Sequence, residues 1–178
     1  GKLTVESTAA SGDYNLSTEG TLDWAHWGKS AVSDYNHKAG VTPQISNWIA
    51  VGTGVASRAY SATPTFTWND GTPTAAETAN KGFIRVGGPG NGFLITIPAE
   101  NVEKQLKLYV GVQYTATCEL EVSLSDGSAP ALILTNTGDT VYTIKYKSSS
   151  SAQSLTVKYV VKDGSGNAKL FAATLSEV

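Results

Sequence analysis

The sequence is short of the residues that carry most protein chemistry: its 178 positions hold one cysteine, no methionine, two histidines and two arginines. Each shortage excludes something. A lone Cys118 cannot bridge to a partner within the chain. It also lies on the apolar parity of an alternating run, whereas a thiolate nucleophile needs an electropositive, partly exposed setting. His26 and His37 stand eleven positions apart, outside the i, i+4 spacing of a helical zinc pair, and no cysteine cluster supplements them. No Gly-x-Ser-x-Gly elbow is present. With 13 Lys+Arg against 15 Asp+Glu, a net charge of -2 and no lysine cluster, neither a nucleic-acid footprint nor a polybasic membrane patch is expected. No apolar run approaches the roughly 20 residues that span a bilayer, so membrane insertion is not expected either. A single domain is expected over residues 1–178, since a chain of this length removes roughly 70% of its unfolded surface from water without disulfides or metal. The start at Gly1 without methionine leads to the expectation of a domain excised from a longer secreted protein, or of a processed mature form.

What is abundant is alternation. Leu106, Leu108, Val110, Val112 and Tyr114 share one parity of a run; Cys118, Leu120, Val122 and Leu124 share that of the next; Leu155, Val157, Tyr159 and Val161 share that of a third. Leu108, Val110, Leu120, Val122, Leu155 and Val157 are therefore the expected core. Further strands are expected at 2–6, 21–27, 45–51, 65–68, 82–86, 93–97, 131–134, 140–146 and 169–175, with no segment holding a helical period. Asp70-Gly71, Asp126-Gly127 and Asp163-Gly164 supply the positive φ angles of tight hairpins. The glycines of 87–92 miss the spacing of a nucleotide loop and a strand follows, so that stretch reads as a strand connection. The serine run 148–151 reads as a mobile loop tip. About a dozen short strands imply an all-β, two-sheet antiparallel sandwich. A jelly roll is preferred over an immunoglobulin-like arrangement because of the long connections at 28–40 and 71–81.

Four tryptophans in so small a chain need not all fill the core, since the strands already supply Val, Leu and Ile. Parity along Thr21 to Gly28 places Leu22, Trp24 and His26 on one face and Asp23, Ala25 and Trp27 on the other, so one tryptophan points inward and one outward. Sugar rings present apolar C–H faces that stack on flat aromatic side chains, while Asp, Asn, Arg or His groups take the hydroxyls. The candidate site is therefore Trp27 as the exposed platform, with Trp24 as its alternate should a bulge swap their roles. Asp23, His26, Arg58, Trp68, Asp70 and Arg85 are its possible neighbours. The competing reading is that tryptophans on central strands of a sandwich anchor the core.

Tyr14-Asn15-Leu16-Ser17-Thr18-Glu19-Gly20-Thr21-Leu22-Asp23-Trp24-Ala25-His26-Trp27-Gly28, then Phe66-Thr67-Trp68-Asn69-Asp70-Gly71-Thr72-Pro73, Gly90-Asn91-Gly92-Phe93 and Leu124-Ser125-Asp126-Gly127-Ser128, resemble the carbohydrate-binding-module-like accessory domains of secreted bacterial polysaccharide-degrading or cell-surface proteins. The resemblance implies a galactose-binding-like jelly roll working outside the cell, at the cell surface, tethered to a catalytic or surface domain. It brings no ligand-residue set with it. Jelly rolls of this kind can hold a structural Ca²⁺, but no Asp-x-Asp-x-Asp loop occurs and no cofactor or metal is expected.

The leading expectation is a non-catalytic, monomeric module that docks a neutral polysaccharide or glycan, with dissociation constants on the order of micromolar to millimolar. A structural spacer or adhesion module is the second reading, with every tryptophan in the core. A small glycosidase or lyase is the third, since two suitably separated carboxylates would suffice. Most acids here lie in turns or on solvent-facing strand positions such as Glu119 and Glu121.

Overall fold

In the computed structural model, which describes residues 1–178, 60% of the chain is strand and 2% helix. The strands in chain order are β1 (Lys2–Ala9), β2 (Asp13–Asn15), β3 (Asp23–Trp27), β4 (Tyr35–Lys38), β5 (Ile49–Val51), β6 (Ser57–Tyr60), β7 (Thr65–Trp68), β8 (Gly71–Thr72), β9 (Glu77–Asn80), β10 (Gly82–Gly87), β11 (Gly92–Ala99), β12 (Lys104–Gln113), β13 (Ala116–Leu124), β14 (Leu132–Asn136), β15 (Thr140–Lys147), β16 (Gln153–Gly164) and β17 (Asn167–Glu177). A single helical turn, α1 (Leu16–Glu19), is capped by Asn15, whose side chain accepts from the Thr18 amide.

The last eight strands pair as a folded-over hairpin. β10 pairs β17, β11 pairs β16, β12 pairs β15 and β13 pairs β14, all antiparallel. Successive strands alternate between two sheets except at the β13–β14 turn, where both lie in the same one. Wrapping a long hairpin in this way gives the two stacked sheets of a jelly roll, so the preferred fold is the observed one. One sheet runs β14-β13-β16-β11-β5; the other runs β1-β15-β12-β17-β3-β4-β8. β10 and β3 divide the remaining edge of β17 between them, β10 taking Asn167 to Leu170 and β3 taking Ala172 to Leu175.

The expected alternating runs build the space between the sheets. Leu108, Val110, Leu120, Val122, Leu155 and Val157 are all buried there, as is Cys118, whose thiol burial pushes up to about 11. The N-terminal third forms a further layer. β2, β7 and β9 make a three-stranded sheet that, with α1, covers the outer face of the nine-stranded sheet. Beneath it lies a second apolar cluster containing Leu16, Trp24, Phe66, Trp68, Phe83, Tyr109 and Phe171. A bulge in β17 opposite Tyr109 and Val110 gives Phe171 its place in this cluster.

Several expectations need correction. The long connections at 28–40 and 71–81 contain the short strands β4, β8 and β9, which alternation over so few residues could not mark. Residues 45–48 are not strand; only Ile49–Val51 pairs, as β5. Of the three Asp-Gly pairs, only Asp126-Gly127 closes a hairpin, between β13 and β14, with Gly127 at φ +63°. Asp70-Gly71 joins strands of different sheets, and Asp163-Gly164 ends β16 where the chain crosses to the other sheet. The serine run is tied down: Ser148 is buried and Ser149 donates to Asp126 through both its amide and its hydroxyl. No helix is long and apolar enough to cross a membrane.

Candidate functional site

The tryptophan-centred constellation folds into the interior. Parity holds along β3, with Trp24 and His26 on one face and Trp27 on the other, but both faces of this strand are covered and all five of its residues are buried. Trp27, the expected platform, is 0% exposed between the two large sheets. There it stacks on Tyr35 at 6.1 Å and donates its indole N–H to Asn47 Oδ1 at 2.9 Å. Trp24 lies 5.2 Å from Trp68 under the small sheet and donates to Asp70 Oδ1 at 2.8 Å, while Trp68 donates to the Thr74 carbonyl. His26 is wedged against Phe66 and Trp68 at 5.4 and 5.2 Å. Neither of its ring nitrogens has a partner in hydrogen-bond geometry, and the nearby Gly82 backbone only partly offsets the burial that pushes the imidazole down to about 3.

The polar members of the set hold backbone together. Asp23 is fully buried, and its carboxylate accepts from the amides of Gln44, Ile45 and Trp24 at 2.7 to 2.9 Å, pinning the segment before β5 to β3. Partial burial acts to raise the Asp70 carboxyl, but hydrogen bonds from Lys38, Ser17 and Trp24 outweigh it and hold the group below the usual carboxylate range. Arg58 donates to the carbonyls of Gly28 and Lys29 at 3.1 and 2.9 Å. Arg85 donates to Gln113 Oε1 at 2.7 Å, and Asn167 donates to the same oxygen at 2.8 Å. Trp24, His26, Trp68 and Asp70 thus come together, but as the second core. Asp23 and Trp27 serve the opposite face of β3, between the two large sheets, and Arg58 and Arg85 lie on the paired strands β6 and β10 with their guanidinium groups bonded to Gly28, Lys29 and Gln113.

The surface opens elsewhere, at the end of the sandwich where β12 crosses to β13 and β16 crosses to β17. A cleft of about 360 Å³ is lined there by Tyr114, Thr115, Thr117, Thr137, Asp163 and Gly164. Three local departures from regular strand build it. Tyr114 adopts φ +62°, in the left-handed region that costs a residue with a side chain roughly 1–2 kcal/mol, and the residue is 77% exposed. Gly164 takes φ +97°, and a Cβ there would stand 2.7 Å from the Ala116 backbone, so only glycine closes this corner. Between these two, β16 carries a bulge: Thr117 pairs Asp163 while Cys118 pairs Val161, leaving Lys162 as the extra residue. Without the bulge Asp163 would continue the inward parity of Tyr159 and Val161; with it, Asp163 stands beside Thr117 on the outer face. Gln113, fixed by Arg85 and Asn167, anchors the strand end that presents Tyr114.

Sequence reasoning extended the inward parity through Tyr114 and missed this site. A signal was available, since one parity stays apolar from Leu106 to Leu124, far longer than an ordinary strand. A turn without Gly, Pro or Asn must therefore fall at 114–117.

No family model and no curated protein sequence matches the chain. Among solved structures it is similar to the CBM22-1 and GH10 modules of a Clostridium thermocellum xylanase complexed with xylohexaose. That likeness has 12% identity and TM-score 0.45 over 74% of this chain and 26% of that one. It is also similar to the enzymatically active domain of tailspike protein 4 of bacteriophage CBA120, at 16% identity and TM-score 0.46 over 74% and 20% of the two chains. A third similarity is to TmCBM61 bound to β-1,4-galactotriose, at 11% identity and TM-score 0.44 over 75% and 90%. The chain thus spans only about a quarter and a fifth of the first two. The jelly-roll assignment rests on the strand pairing described above and not on these loose likenesses.

Proposed function

We propose that this jelly roll is a non-catalytic carbohydrate-binding module whose site is the Tyr114 cleft. The observation that carries the reading is the convergence of three backbone irregularities on one small cleft, where they hold an aromatic ring in water beside hydroxyls and a carboxylate. A left-handed tyrosine and a strand bulge each cost stability, and such costs concentrate where a side chain must be aimed for a purpose. The ring offers a flat apolar face to a sugar's C–H surface, and Thr115, Thr117, Thr137 and Asp163 offer hydrogen bonds to its hydroxyls. A cleft lined by one acidic side chain suits docking better than glycoside hydrolysis, which in most families uses a pair of carboxylates across the bond. Work outside the cell, tethered to a catalytic or surface domain, belongs to the same proposal.

The test is affinity electrophoresis against a panel of soluble polysaccharides. The wild-type domain is retarded by at least one, Tyr114→Ala migrates freely, and Tyr60→Ala, which removes another exposed tyrosine distant from the cleft in the strand order, stays retarded. Retardation surviving in Tyr114→Ala, or absent across the panel, refutes the reading. A spacer or adhesion module is the second reading. It is favoured by the burial of Trp24, Trp27 and Trp68, which leaves none of those three for stacking.

A further inference from the structure

The cleft has a sign. Asp163 supplies the one charge among the residues that line it, the rest being Tyr114, small residues and threonines. The adjacent cation does not neutralise it: Lys162, the bulged residue, directs its ammonium to Glu119, 3.9 Å away on β13. The bulge that exposes Asp163 therefore also sends Lys162 toward a different carboxylate. An exposed aromatic face next to a carboxylate with no ion-pair partner is the pairing that recognises an ammonium group, the ring through its quadrupole and the carboxylate through charge. The same carboxylate repels an acidic sugar, whose own carboxylate would be brought into the cleft against it.

We infer that Asp163 sets the charge class of the ligand, so that the cleft prefers a saccharide carrying a free amino group over its neutral counterpart and disfavours a uronate. The inference rests on the sugar-binding reading of the same cleft. It adds a selectivity that the ring and the threonine hydroxyls, being uncharged, cannot supply. Because the site is open to water, the preference is modest, about three- to tenfold between the amino and neutral sugars.

Titration calorimetry with oligomers of glucosamine, glucose and glucuronic acid, matched in linkage and length and compared at mildly acidic pH where the amine is protonated, reads this directly. Wild type ranks glucosamine above glucose above glucuronate, and the spread narrows in high salt. Asp163→Asn keeps the shape of the side chain but removes its charge, so the ratios between the three affinities fall toward one, whatever the change in the affinity for the glucose oligomer itself. Equal affinities in wild type, or a ranking that persists in Asp163→Asn, overturns the assignment of selectivity to Asp163 and leaves the sugar site standing. Failure of all three oligomers and of the polysaccharide panel to bind overturns the sugar site itself. The melting temperature of Asp163→Asn serves as the folding control, since an exposed strand-end carboxylate contributes little to stability.

Discussion

The two aromatic regions of this chain are opposites. Around β3, Trp24, His26, Trp27 and Trp68 follow the alternation rule and are buried on both sides of one sheet, with every indole N–H spent on an internal acceptor. At the far corner, Tyr114 breaks the rule, takes a left-handed backbone and keeps its ring in water. The richest aromatic motif in the sequence is thus structural, whereas Tyr114, in a turn, has the exposure that stacking on a ligand requires. Density of aromatic residues reports how many faces need covering, whereas availability depends on where the chain leaves its regular path.

The sharpest way to break that contrast is Trp27→Ala. If the tryptophan region is core, truncation removes a fully buried indole, with its hydrogen bond to Asn47, and leaves a cavity between the sheets, at a cost of about 3–5 kcal/mol. Chemical denaturation measures it, and a variant as stable as wild type would return Trp27 to the surface and revive it as a platform.

How the sequence misled here is physical. Alternation recovered the long strands β12, β13, β15, β16 and β17 because each has an interior face packed against the opposing sheet. It correctly put Trp24 and Trp27 on opposite faces. What it could not show is that the outer face of the nine-stranded sheet is itself covered by β2, β7 and β9, strands of three or four residues whose placement depends on distant pairing, such as Asp13 with Thr65. A two-layer expectation leaves one face of β3 in water and parity does not say which: the face taken for solvent, that of Trp27, lies between the two large sheets, while the face that two layers would expose, that of Trp24, is covered by the small sheet. The cleft was hidden for the converse reason: a bulge and a left-handed residue reverse parity locally, and neither Tyr114 nor Lys162 is of a type that announces such a change.

A second prediction sharpens the contrast through pH. The His26 imidazole is held down to about 3 against an ordinary 6.5, so between those values the unfolded chain binds a proton that the folded chain refuses. Stability from this group is complete above about pH 6.5 and falls as pH drops, by roughly 3 kcal/mol on reaching about pH 4. Replacing His26 with Phe, an apolar ring among Phe66 and Trp68, should remove that part of the slope, read from urea midpoints at several pH values. An unchanged slope would mean that His26 is accessible to protons in the folded state and that the second cluster is looser than its burial implies.

The smallest effect belongs to the cleft, and its sign matters more than its size. Tyr114 is strained by its φ of +62°, and the exposed ring gains little packing in return. Tyr114→Gly relieves more strain than the wider unfolded ensemble costs, but loss of the ring's remaining contacts offsets part of that gain, so stability should change by no more than about 0.5 kcal/mol. Tyr114→Ala also loses the ring but keeps the Cβ and its left-handed cost, and should be less stable than the glycine variant by about 1 kcal/mol. Both variants should lose polysaccharide retention equally. Stability ordered glycine above alanine with binding lost in both is the pattern of a residue retained for its exposed ring at the expense of the fold. A Tyr114→Gly variant that loses more than about 2 kcal/mol would show that the ring packs as the tryptophans do. The contrast between the two regions would then fail at the end where it was expected to be strongest.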